Sequence, residues 1–222
     1  MVEKTLVLAT RNKGKISELT ELLSGFDITV KNLNDFGPIP PVIEDGKTFE
    51  DNAYKKASFT AKVLGLPTIA DDSGLVVDAL DGAPGVYSAR YAGENASDDE
   101  NNRKLLNEMK GISKRNAYFE TAIIIAVPEG HALTYTGRAK GEITETPAGE
   151  NGFGYDPLFY YPPLKKTFAQ MTQDEKNGVS HRGKAVKELQ GEFEKVIIWL
   201  ENRLAEEPHG SGHCDNTTHS RQ

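Results

Sequence analysis

Cysteine is almost missing: Cys214 is the only one among 222 residues. A single thiol excludes an intramolecular disulfide framework and a Cys-based zinc centre, and it fits a cytoplasmic setting. Long apolar runs are missing too. No stretch reaches the ~20 residues that span a bilayer, and the start lacks a secretory h-region, so no membrane association is expected. Positive charge is not in excess either. A formal net charge of −7 argues against a general polyanion binder, so no nucleic-acid partner is expected. Any phosphate must then be gripped by a local cluster of cations. What remains is an ordinary globular composition, 37% hydrophobic and 27% charged, in a chain long enough for a sizeable core.

The chain opens with an apolar run, Thr5 to Ala9, of strand character. Ile16, Leu19, Leu22 and Leu23 then mark one face of a helix that Gly25 stops. Residues 28–33 read as a second strand, followed by the loop Gly37-Pro38-Ile39-Pro40-Pro41. Thr48 is a plausible N-cap for a helix with Phe49, Ala53, Ala57 and Ala61 on its buried stripe, ended by Gly65 and Pro67. Residues 68–70 and 75–80 read as two strands joined by an Asp71-Asp72-Ser73-Gly74 turn. Ser97 caps a charged helix over 98–110, and 117–127 and 132–143 are extended runs around Pro128-Glu129-Gly130. Residues 158–161 form a further strand, 173–177 a short helix, and one last helix begins near Arg182. The polar stretch 206–222 reads as a disordered tail, leaving 1–205 as one two-lobed domain. The order predicts an α/β fold, a mixed sheet with flanking helices.

Four places carry residues suited to chemistry. Thr10-Arg11-Asn12-Lys13-Gly14-Lys15 lies between a strand and a helix, where backbone N–H groups and the helix dipole favour a phosphate. It is not a Walker A loop, since Ile16 stands where Ser or Thr should follow Gly-Lys. Taken alone it reads equally as a solvated basic turn. Asp71 and Asp72, with Glu44, Asp45, Asp78 and Asp81, offer hard oxygen ligands for Mg²⁺, which needs only one or two carboxylates beside substrate phosphates. A carboxylate that does not ligate can instead deprotonate water. In isolation the Asp-Asp-Ser-Gly string is a structural turn. Gly152-Phe153-Gly154-Tyr155-Asp156 offers an aromatic face between glycines, with Asp156 an acceptor for a ring N–H, or simply a packed Gly-rich loop. Lys176 and Ser180-His181-Arg182 supply donors at a helix start, Arg182 with a fork suited to a keto oxygen, while His181 reads equally as a capping residue. His131, in a hairpin turn, and His209, His213, His219 and Cys214, in the tail, have bland readings.

Taken together, Thr10-x-Asn12-x-x-Lys15, Thr48-Phe49-x-x-Asn52-Ala53, Ala70 to Leu75, Gly82 to Tyr91, Gly152 to Pro157 and Ser180 to Gly183 resemble the inosine triphosphate pyrophosphatases, also called XTP/dITP diphosphatases. The resemblance covers about residues 3–204. It implies an elongated α/β fold with a central nucleotide-binding cleft between lobes, a homodimer, and Mg²⁺-dependent hydrolysis of ITP, dITP and XTP to monophosphate and pyrophosphate. Carried over by position, Thr10, Arg11, Asn12, Lys13, Gly14 and Lys15 would bind the triphosphate. Asp72 would be general base and metal ligand, Glu44 a second metal ligand, and Ser73 a substrate contact. Phe153, Gly154, Tyr155, Asp156, Lys176, His181 and Arg182 would form the base and phosphate pocket. A diphosphatase for modified pyrimidine triphosphates and a nucleotide sensor without turnover are the competing readings.

Overall fold

The computed structural model describes residues 5–205. A seven-stranded sheet of order β2-β1-β3-β4-β5-β6-β7 forms its spine. The first half is parallel: β1 (Thr5–Leu8) lies between β2 (Thr29–Asn32) and β3 (Thr68–Val77). From β3 onward every pairing is antiparallel, through β4 (Asn116–Ala126), β5 (Ala132–Ile143), β6 (Phe159–Tyr161) and the two-residue β7 (Lys166–Thr167). The helices are α1 (Lys13–Leu23), α2 (Phe49–Leu64), α3 (Asp98–Glu108), α4 (Gln173–Val179), α5 (His181–Gly191) and α6 (Phe193–Ala205).

Most expected elements are found within a residue or two, and their caps explain why. Thr48 Oγ1 accepts from the Asp51 N–H, and Gly65 ends α2 in the left-handed region at φ 66°. Ser97 and Glu100 form a reciprocal capping box at α3. Two expectations fail. The Asp-Asp-Ser-Gly turn does not exist, because β3 runs unbroken from Thr68 to Val77 and each residue is laddered to β4. Gly74 serves close packing rather than turning: a Cβ there would stand 2.5 Å from Ser88 Oγ and 2.7 Å from the Phe49 ring. The single last helix is also two, broken at Glu192, where φ −117° and ψ 7° leave the helical region after Gly191. The break lets Phe193 stack on Phe26, with ring centroids 3.6 Å apart. The tail 206–222 lies outside the described residues.

Side chains alternate across the strands, so the sheet sorts the core into separate clusters. Ile69, Ile123, Ile125 and Tyr135 pack under α1, α5 and α6. Ala70, Ala122, Ile124 and Ala126 pack under Phe49, Ala53, Ala57 and Ala61 of α2, on the opposite face. Further along β3, β4 and β5, Leu75, Val77, Phe119 and Ala139 join Phe159 and Phe168 on the first face again. Between these two apolar clusters of one face lies a polar seam.

Candidate active site

Asp71 and Asp72 sit mid-strand on β3, opposite Ile123 and Ala122 of β4. Adjacent residues on a strand point to opposite faces, so the two carboxylates do not share a site. Asp71 enters the seam, and Asp72 turns toward α2.

On the seam side, charges alternate along one connected chain. Lys15 Nζ is 3.1 Å from Asp71 Oδ2, which also accepts from Arg182 Nε at 2.9 Å. Arg182 Nη1 donates to Glu18 Oε2 at 2.6 Å, and Glu18 Oε1 accepts from Lys176 Nζ at 2.5 Å. Lys176 then reaches Asp156 Oδ2 at 2.6 Å. Every member but Lys15 is buried. Burial would raise the Asp71 carboxyl, yet the neighbouring Lys15 and Arg182 cations outweigh it and hold it well below the usual range. Glu18 is lowered in the same way, with Arg182 and Lys176 overcoming burial. For Asp156 burial prevails over Lys176, and its carboxyl is raised. Burial also drives His181 well below 6.5, with Arg182 and Lys176 adding to it, so the imidazole is neutral and cannot serve as a second cation. Its ring stacks on Phe119 at 4.8 Å. Its Nδ1 and Asp71 Oδ1 are buried polar atoms that find no hydrogen-bond partner.

Phe153 closes this side. Its ring lies 4.9 Å from Lys176 Nζ and 5.4 Å from the Arg182 guanidinium, in cation–π range of both. Gly14 packs under it, where a Cβ would come within 2.5 Å of Phe153 Cδ1. The loop is held from several directions. Asp156 Oδ2 accepts from the Phe153 N–H, Asp98 Oδ2 from the Gly154 N–H, and the Gly154 carbonyl accepts from Asn102 Nδ2 at 2.9 Å. Tyr155 turns away: its ring is buried in the Leu75–Phe159 cluster, and its hydroxyl donates to the Ser88 carbonyl. That leaves only its backbone near the seam.

On the α2 side, Lys56 Nζ donates to Glu44 Oε2 at 2.9 Å and to Asp72 Oδ1 at 3.0 Å. Burial alone would lower that ammonium, but Asp72 and Glu44 outweigh it and the amine is raised. Asp72 itself is raised, because burial exceeds the pull of Lys56 and Lys15. Two hard-oxygen carboxylates thus converge on a cation already, the donor chemistry a divalent ion requires, and an ion with substrate phosphates among its ligands needs no more. Among the described residues no group of three or more His, Cys, Asp or Glu could hold a metal unaided.

Other expected residues are less engaged. Thr10, Arg11 and Asn12 form the partly open turn before α1, and Lys13 is the helix's first residue; Asn12 caps it by accepting from the Lys15 N–H, and Arg11 donates to the Ile39 carbonyl. Ser73 donates to Asp71 Oδ2 at 2.8 Å and faces Thr121. Asp45 pairs with Lys55 at the surface, and Asp78 and Asp81 lie beyond the far end of β3, away from the seam. Glu18 and Lys56 are not among the residues expected from the sequence. A signal existed for each: Glu18 is an acid beside Leu19 on the buried side of α1, and Lys56 stands one turn after Asn52 on α2.

The site thus combines an open mixed α/β sheet, cations on both faces of one strand, two carboxylates facing a cation and an aromatic ring over the buried cations. The chain belongs to the Ham1 family, whose model matches residues 6–192. A dITP/XTP pyrophosphatase of Syntrophobacter fumaroxidans is 58% identical over 215 residues, 96% of this chain and 93% of that protein. Another so named, from Bacillus anthracis, is 48% identical over 89% of this chain and 98% of its own length. The solved Ham1 protein of Staphylococcus aureus superposes with a TM-score of 0.79 at 44% identity, spanning 87% of this chain and 100% of that one.

Proposed function

We propose that this chain hydrolyses non-standard purine nucleoside triphosphates (ITP, dITP and XTP) to the monophosphate and pyrophosphate, clearing them from the cytoplasmic nucleotide pool. The observation that carries the reading is the pairing of Asp72 and Glu44 across Lys56, one residue from the Lys15–Asp71–Arg182 chain, at 58% identity to a dITP/XTP pyrophosphatase.

In this reading Lys15, the N-terminal turn of α1 and Lys56 receive the phosphates. Cations and helix N–H groups placed there stabilise charge that grows on the departing pyrophosphate. Asp72, raised by burial, is suited to accept the proton of the attacking water. Glu44 and Asp72 would hold Mg²⁺, which when bound neutralises phosphate charge and polarises the phosphorus under attack. Phe153 offers the base a stacking face, and Arg182 with one N–H of neutral His181 offers donors to a 6-keto oxygen. A 6-amino group would oppose donor to donor, at about 1–3 kcal/mol per buried clash. Ser73 and Asp156 act mainly by orienting Asp71 and Lys176. A homodimer is the proposed assembly, which light scattering of the purified chain would test.

Pyrophosphate release from ITP, with ATP and GTP as controls and with Mg²⁺ or chelator, tests the function. Fast, Mg²⁺-dependent release from ITP that Asp72→Asn reduces at least ~10²-fold is the expected result. Release of orthophosphate alone, or an unimpaired Asp72→Asn, would refute it.

A further inference from the structure

Glu44 stands in a stretch without helix or strand, residues 36–47, between the short 3-10 turn Leu33–Asp35 and α2. Such a segment places a side chain only as well as its fastenings allow. Three side chains from elsewhere fasten its backbone. Arg11 Nη2 donates to the Ile39 carbonyl at 3.2 Å, and Arg90 Nη2 to the Glu44 carbonyl at 3.1 Å. Asn52 Oδ1 accepts from the Gly46 N–H at 2.8 Å. Of the three, Asn52 alone also reaches Asp72, donating from Nδ2 to Oδ2 at 3.2 Å. It is 1% exposed, so its acceptor and its donor are both committed inside the protein, on two different elements. Gly46 comes so near that a Cβ there would stand 2.6 Å from Asn52 Oδ1 and 2.7 Å from Asp51 Cβ.

We infer that Asn52 is a positioning residue whose carboxamide holds the Glu44 loop and the Asp72 carboxylate in one fixed relation. The inference rests on the roles proposed above for Glu44 and Asp72 and deepens them. Lys56 attracts both carboxylates, but an ammonium at the end of a flexible stem fixes no direction. The planar amide of Asn52, rooted in the second turn of a capped helix, does fix one. It orients one oxygen of Asp72 and leaves the other to Lys56, while pinning the backbone two residues after Glu44.

The test uses the whole chain and three readouts: backbone amide exchange of residues 44–47, pyrophosphate release from ITP with Mg²⁺, and Mn²⁺ binding followed by its paramagnetic resonance. Asn52→Leu, of similar size, loses both hydrogen bonds. Exchange should rise over 44–47 and not across the sheet, and turnover and Mn²⁺ affinity should each fall about 10–100-fold, as for other groups that orient metal-binding carboxylates. Gly46→Ala attacks the same contact from the loop and should give the same local exchange and the same loss. Asn52→Asp keeps the acceptor for Gly46 but removes the donor to Asp72, so protection should persist while turnover falls. Wild-type turnover in Asn52→Leu, or unchanged exchange over 44–47, would overturn the inference. If that variant does not fold, Asn52→Asp decides: protected Gly46 with reduced turnover supports the role, and undiminished turnover removes it. Should the wild type release no pyrophosphate from ITP, the proposed function fails, while the exchange contrast still reports on the strap.

Discussion

Glu18 and His181 share one seam and begin to respond to acid at different pH. Glu18 has a carboxyl lowered from 4.5, so the folded state binds its proton less readily than the unfolded chain does. Its contribution is fully present above about pH 4.5 and is lost as pH falls toward the folded value. His181 is lowered from 6.5 by burial, so protonation again favours the unfolded chain, but the loss begins already below about pH 6.5. Urea denaturation across pH should therefore show His181→Gln flattening the dependence from pH 6.5 downward. Glu18→Gln should flatten it below 4.5. Because Asp71 acts in the same sense as Glu18, and Asp156 in the opposite, each effect is read as variant minus wild type. Equal curves for His181→Gln and wild type would mean that the imidazole is charged in the fold. None of this was legible from the string Ser180-His181-Arg182, which displays two basic residues and conceals that one is neutral. Burial, set by Phe119 and the sheet, made that difference.

At the scale of elements, local signals were read well and cross-strand ones poorly. Helices α2 and α3 announce their starts with Thr48 and Ser97, whose cap bonds span three residues. The turn before α1 was equally local, and Asn12 and Lys15 stand where a helix start requires them. In contrast, Asp71 and Asp72 look like a turn because polar residues interrupt an apolar run. Only the ladder to β4 makes them strand, and only cations from α1, α2 and α5 make them affordable inside. Helix α3 looked merely charged, yet its first two turns hold both peptide groups of Gly154. Asn102→Ala should therefore loosen Phe153 and raise KM for ITP several-fold while kcat changes less, at a cost in stability of about 1–3 kcal/mol for the unpaired Gly154 carbonyl. Steady-state kinetics beside a thermal melt would check it, and an unchanged KM would detach α3 from nucleotide recognition.

For the whole molecule, an acidic balance of −7 coexists with a site where Lys15, Lys56, Lys176 and Arg182 gather around β3. Those cations are matched in place by Asp71, Glu18, Asp156, Asp72 and Glu44, so under the proposed function a small polyanion is received by individually positioned donors rather than by a net positive field. A ligand bound only by the folded state must then stabilise the fold by mass action. The Asp72→Asn variant with Mg²⁺ and ITP at 100 times Kd should gain about 2.7 kcal/mol, whereas ATP at the same concentration should add much less. Equal shifts from ITP and ATP would place discrimination in the chemical step rather than in binding.

The alternating chain from Lys15 to Asp156 also bears on how such a protein can change over generations. Each interior charge answers two neighbours, so replacing one deprives two groups of a counter-charge in a buried setting, where a broken pair costs up to about 3–5 kcal/mol. Glu18→Gln and Lys176→Met, each harmful alone, should harm less together than the sum of their separate losses, with a coupling of about 0.5–3 kcal/mol. Inheritance along this seam would then move two steps at a time, and lineages that lack the second step would find the first one closed to them.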